Sequence, residues 1–120
     1  MIDSDSRQVA LYEPAGHRFH ALDVPGVVEM NDAEVEVLVG RSGGCTLRLI
    51  ADLQKANAAY HRPESLLLRD AGCLMATVAL CADWSGLEAC LLGALGSSIV
   101  AELKFPDHQY AGVGAIQITS

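Results

Sequence analysis

Positive charge is scarce in this chain. Its 120 residues hold eight Lys and Arg against fifteen Asp and Glu, a formal net charge of −7. No basic block interrupts the acidity. Phosphate-bearing partners reward clustered Lys and Arg, so this balance argues against nucleic acid and against an anionic membrane surface. The four cysteines (Cys45, Cys73, Cys81, Cys90) form no CxxC pair, and no His stands at ligand spacing beside them. That argues against a zinc knuckle, and without a secretory signal a disulfide framework is not expected. Each cysteine lies in an apolar run and is expected to be a small buried hydrophobe. No uncharged run reaches the roughly 18 to 20 residues of a membrane span. The polar, acidic start MIDSDSRQ is unlike a signal peptide, and a cytoplasmic location is expected.

What is present is a core. Half of the chain is hydrophobic and 19% is charged, a composition that folds as one domain rather than staying disordered. A domain this small has a poor surface-to-volume ratio, so a partner that covers apolar surface would stabilise it. The acid is concentrated early. Residues 1–36 hold eight carboxylates against Arg7 and Arg18, whereas the remainder is nearly balanced.

The order of elements follows from period and punctuation. Residues 1–7 are expected to be a flexible start. Gln8–Tyr12 and Arg18–Asp23 read as strands joined by the turn residues Glu13-Pro14-Ala15-Gly16. Glu34–Val39 alternates acid with apolar and reads as a half-exposed strand. Thr46–Ile50 reads as a strand with Leu47 and Leu49 on one face. Asp52–Tyr60 suits one or two helical turns.

The longest periodic element runs from Glu64 to Asp83, with Pro63 at its start and Ser85-Gly86 at its end. Leu67, Ala71, Leu74, Val78 and Cys81 form its stripe. Its other faces are also apolar, which implies burial on all sides in a core or at a subunit interface. Trp84 is expected to anchor the helix end in the core. Leu87–Leu92 reads as a strand. A short helix capped by Ser97 or Ser98 follows, then a turn at Phe105-Pro106-Asp107 and a last strand, Tyr110–Thr119, weakened by Gly112 and Gly114. The fold class is α+β, a mostly antiparallel sheet packed on one long buried interface helix.

Four strings carry a resemblance. They are Ala10-Leu11-Tyr12-Glu13-Pro14-Ala15-Gly16-His17, Ser65-Leu66-Leu67-Leu68-Arg69-Asp70-Ala71-Gly72, Ala82-Asp83-Trp84-Ser85-Gly86-Leu87-Glu88-Ala89-Cys90 and Leu92-Gly93-Ala94-Leu95. In order and spacing, from about Val9 to Ile118, they resemble the C-terminal half of the SagB-type azoline dehydrogenase branch of the FMN-dependent nitroreductase family. The resemblance implies a nitroreductase-like partial domain, an FMN cofactor and a dimer with flavins at the interface. It also implies dehydrogenation of a small heterocycle or a peptide-derived substrate in natural-product biosynthesis. The family's N-terminal arginine-rich motif, which grips the FMN phosphate, has no counterpart here. The expected partner is therefore a homodimer mate, or in a heteromer a chain that supplies that half.

The family places its flavin-ring contact where Leu92, Gly93 and Ala94 stand. A backbone N–H in a glycine loop is a compact donor to the flavin N5. Arg62 is a candidate for the phosphate, which wants a guanidinium or a helix N-terminus. Tyr60 matches the Tyr of a Lys-Tyr pair whose Lys is absent. It is the candidate catalytic acid, though a poor base without a cationic neighbour. No metal site is expected. Two other functions remain open: a non-catalytic binding or scaffolding module derived from the flavoenzyme fold, and a binder of small molecules without redox chemistry.

Overall fold

The structure, a computed structural model, describes residues 1–106 and 108–120. It is an α+β fold of one six-stranded antiparallel sheet and four helices. The chain runs β1 (Ile2–Asp3), β2 (Gln8–Glu13), β3 (Arg18–Leu22), α1 (Val27–Val39), β4 (Cys45–Asp52), α2 (Leu53–Ala59), α3 (Glu64–Trp84), β5 (Glu88–Leu92), α4 (Ser97–Glu102) and β6 (Tyr110–Thr119). The strands lie in the order β3-β2-β1-β4-β6-β5. Most expected elements stand where period and turn chemistry place them. Asp107, in the expected Phe105-Pro106-Asp107 turn, lies outside the described residues.

Three expectations are corrected. Residues 1–7 are not a loose start, because β1 inserts between β2 and β4 and Ile2 is buried. Glu34–Val39 is not a strand but the second half of α1. Its acid-apolar alternation is a local coincidence. The buried positions Val27, Val28, Asn31 and Val35 follow the helical period. Gly26 and Gly40 close the helix at either end with left-handed φ of 88° and 76°, a conformation that glycine adopts without a Cβ penalty. The third correction concerns α3, which is not buried all round. Only Ala71 and Ala82 are buried along its length.

The two helical layers sit on opposite faces of the sheet. Adjacent residues of a strand point to opposite sides. Ala115 packs with Val35 and Leu92 under α1, whereas a Cβ on neighbouring Gly114 would stand 2.9 Å from Met75 of α3. On the α1 side, Ile2, Val9, Val27, Val28 and Ile99 form the larger apolar cluster. A polar chain crosses this same layer. Arg48 donates to Asn31 Oδ1 through Nε at 2.9 Å and Nη2 at 2.7 Å. Asn31 Nδ2 donates to Thr46 Oγ1 at 2.9 Å. The Thr46 hydroxyl donates to Gln117, whose amide donates to the Gly43 carbonyl. Arg48 Nη1 also meets Glu34 Oε2 at 2.6 Å, as an ion pair off the hydrogen-bond axis. Buried polar groups persist only when partnered, and here the partners tie α1 to β4 and β6.

On the other face α3 rests on β5 and β6 and leaves the four strands β4-β1-β2-β3 open. The close approach to β6 depends on its glycines. Gly114 lets Met75 down onto the strand, and a Cβ on Gly112 would overlap the Leu95 carbonyl oxygen. A register shift between Leu49 and Ile50 opposite this stretch marks the bulge that the two glycines permit.

Candidate functional site

The residues singled out from sequence fall into two separate loops. Tyr60 closes α2 and is exposed. Arg62 follows it in the connection to α3, exposed, with a left-handed φ of 54°. Gly93 and Ala94 lie in the β5–α4 loop. Gly93 is exposed and no atom stands within 4 Å of where its Cβ would be, so nothing in this chain crowds that backbone. Leu92 is buried against Val35 and Ala115 on the α1 side, and its side chain belongs to the core.

The arginines are mostly engaged. Arg41 Nη2 pairs with Glu88 at 2.8 Å, and Arg48 is buried against Glu34. Arg69 donates to the Ser65 carbonyl of its own helix. Arg62 makes no ion pair among the described residues. Tyr60, Arg62, Leu92, Gly93 and Ala94 line neither of the two depressions described next.

Two depressions do exist. The smaller, of about 530 Å³, lies between the end of α3 and the edge strand β5. Its rim holds Asp83 and the Arg41–Glu88 pair, so its cation is already neutralised. The larger, of about 600 Å³, is the groove that α3 leaves open on the sheet. Leu47 and Leu49 line it from the sheet, Leu67, Leu74 and Val78 form the α3 wall, and Tyr12 and Phe19 form the far wall. Tyr12 and Phe19 are cross-strand neighbours with ring centroids 5.3 Å apart. The Tyr12 hydroxyl is bonded to His17 Nδ1 at 2.6 Å, which holds the phenol at the hairpin tip. Asp70 is the one carboxylate among the groove residues.

Sequence reading missed this groove. The signal lay in the placement of Leu47 and Leu49 on one strand face, but the uncovered part of that face is a tertiary fact. No metal-binding cluster exists among the described residues.

No family model, no curated protein and no solved structure matches this chain. The site therefore rests on its own physics.

That physics centres on α3. Leu68, Leu74 and Leu80 are exposed, and Trp84 is 92% exposed. Cys73, Cys81 and Cys90 are exposed and Cys45 is half-buried, which corrects the expectation of buried thiols. Burial pushes the Cys45 thiol above its ordinary pKa. The expected core anchor at Trp84 is likewise corrected. By length and composition α3 is long and apolar enough to cross a membrane, but its Met75 side packs on β6. An apolar surface of this extent on a small chain marks an interaction site.

Proposed function

We propose that this chain is one part of an assembly: a subunit or half-domain of an FMN-dependent, nitroreductase-like oxidoreductase whose flavin site is completed where a partner covers α3. The carrying observation is that α3 is apolar on all faces yet rests on the sheet along one only. The four matching strings supply the chemical class, and the unassembled state of the site supplies the need for a partner. On this reading FMN brings the redox chemistry. This chain brings the β5–α4 loop amides near the ring, Arg62 towards the phosphate and the Tyr60 hydroxyl as a proton donor to a small heterocyclic or peptide-derived substrate.

The test is co-expression with the product of the adjacent reading frame, followed by visible spectroscopy of the purified material. Flavin absorbance that depends on Gly93 and Arg62 supports the reading. A complex that forms and stays colourless overturns it. That outcome favours the second reading, a non-catalytic scaffolding module, to which the open position of Gly93 already lends weight.

A further inference from the structure

We infer that the groove between α3 and the β2–β3 hairpin is a binding site for an organic ammonium ion with an extended apolar body, of the alkylamine class. The body lies in the trough and the ammonium head meets Asp70 at its rim. The assignment is independent of the flavin reading, since Tyr60, Arg62, Leu92, Gly93 and Ala94 all lie outside this groove.

The trough has the size and lining of a small-molecule site. Its volume of about 600 Å³ falls within the range of ~300–1,000 Å³ for such pockets. Leu47, Leu49, Leu74 and Val78 give it aliphatic surface, and Tyr12 and Phe19 an aromatic wall. Phe19 is 52% exposed and Leu74 51%, so this apolar surface stands in water until something covers it. The walls are also set in advance. β4 is laddered on both sides, to β1 and to β6. The Tyr12 hydroxyl is fixed on His17. A ligand therefore orders little of the protein on entering, which favours its binding.

The charge of the head group follows from the polar side chains. Three of them line the groove: Tyr12, Arg48 and Asp70. The Tyr12 hydroxyl is committed to His17 Nδ1. The Arg48 guanidinium is turned to the α1 side of the sheet, where Asn31 and Glu34 hold it. Asp70 is exposed and makes no hydrogen bond or ion pair among the described residues. The Met1 ammonium, the other cation at this groove, donates to the Ala10 carbonyl at 2.9 Å. The groove thus offers apolar surface beside one uncompensated negative charge. An ammonium head complements it, whereas a carboxylate or phosphate head is repelled. Asp70 stays in water at the rim, so the ion pair forms without burying either charge.

The experiment is isothermal titration calorimetry of the full chain with three probes that share one tail: octylammonium, octanol and octanoate. Octylammonium should bind tightest and octanoate weakest. At low salt the ammonium should exceed octanol by about threefold to fivefold, the worth of an exposed ion pair. The gap should narrow at physiological ionic strength. Asp70→Asn should bring octylammonium down to octanol and leave octanol unchanged. That separates a site from the general attraction of cations to a chain of net charge −7, because the variant keeps every other carboxylate. Leu74→Trp fills the trough and should weaken all three probes by ~10-fold or more. Phe19→Ala opens the far wall and should weaken octanol and octylammonium alike. Both positions are exposed, so circular dichroism should show both variants folded.

Absence of binding by all three probes overturns the inference, as does octanoate binding as tightly as octylammonium. An ammonium preference that survives Asp70→Asn belongs to the acidic surface at large and overturns it too. Affinities untouched by both Leu74→Trp and Phe19→Ala place the tail elsewhere, with the same consequence. A chain that sediments as a dimer and binds no probe gives the groove to a second copy instead. A colourless complex, by contrast, leaves this inference standing and removes only the flavin reading.

Discussion

Arg48 and Glu34 offer the sharpest measurement on this fold. The Arg48 side chain is 4% exposed and its Glu34 partner 25%. Burial pushes the guanidinium below its ordinary pKa, and the Glu34 carboxylate opposes that shift. Removal of one partner from a fully buried pair costs ~3–5 kcal/mol. Water reaches part of Glu34, so Glu34→Leu should cost less, ~2–3 kcal/mol. Arg48→Met keeps the apolar stem but strips Asn31 Oδ1 of two donors, for a loss of ~2 kcal/mol. In the double variant neither stranded charge remains. Its loss should be ~2 kcal/mol, far short of the sum, with a coupling energy of ~2 kcal/mol. Urea unfolding followed by circular dichroism reads all four corners, and a common slope would show that only stability changed. The total stability of such a domain is ~5–15 kcal/mol, so every corner should fold. Additivity within ~0.5 kcal/mol would refute the claim that the pair acts as a unit.

Other outcomes follow from single sites. Gly112→Ala should destabilise the fold by ~1–3 kcal/mol or more, because its Cβ would overlap the backbone of Leu95; a wild-type thermal midpoint would contradict the tight β6–loop contact. Gly93→Ala meets no atom within 4 Å and should leave that midpoint unchanged, so any effect it has on flavin retention in a complex reports on the site alone. Thr46→Val should cost ~1–3 kcal/mol, since it strands Asn31 Nδ2 and the Gln117 carbonyl in the interior. The Asp3 carboxylate accepts the Ser6 and Asp5 amides, which hold it below its ordinary pKa of 3.8. Its stabilisation is therefore complete above that value and lost as pH falls through the lower folded-state pKa. Asp3→Asn should flatten the acid limb of the stability curve, and an unchanged limb would reject the assignment.

Elements with a full local signature were legible in the sequence. Pro14 and Gly16 mark the hairpin turn, Gly86 ends α3 with φ 72°, and Asp52 caps α2 by accepting the Gln54 and Lys55 amides. α1 was not legible as a helix in its second half. Four residues of alternation, Glu34 to Val37, outweighed a helical period whose buried members include Asn31, a polar residue satisfied only by distant Thr46 and Arg48. β1 is two residues long, too short for any period, and owes its existence to the strands on either side. The expected cap from Ser97 or Ser98 is corrected: Gly96, at φ 80°, stands at the N-cap and no side chain caps the helix. For the candidate site, the residues singled out stand at the end of α2, in the α2–α3 connection and in the β5–α4 loop. The sequence could not show that four strands of a sheet face would be left bare.

The brevity of β1 has a practical side. In strand register the hairpin joins the rest of the sheet through Ile2 and Asp3, with Val9 and Gln8 on one flank and Thr46 and Cys45 on the other. Two residues thus act as the keystone between a twisted ribbon and the slab formed by β4, β6 and β5. The Met1 carbonyl is already held by the Ala10 amide at 2.9 Å. A purification handle fused at the front must thread past that bond, whereas one fused behind Ser120 meets open solvent. The amino end of this polypeptide is masonry, and a recombinant version is best extended from its other end.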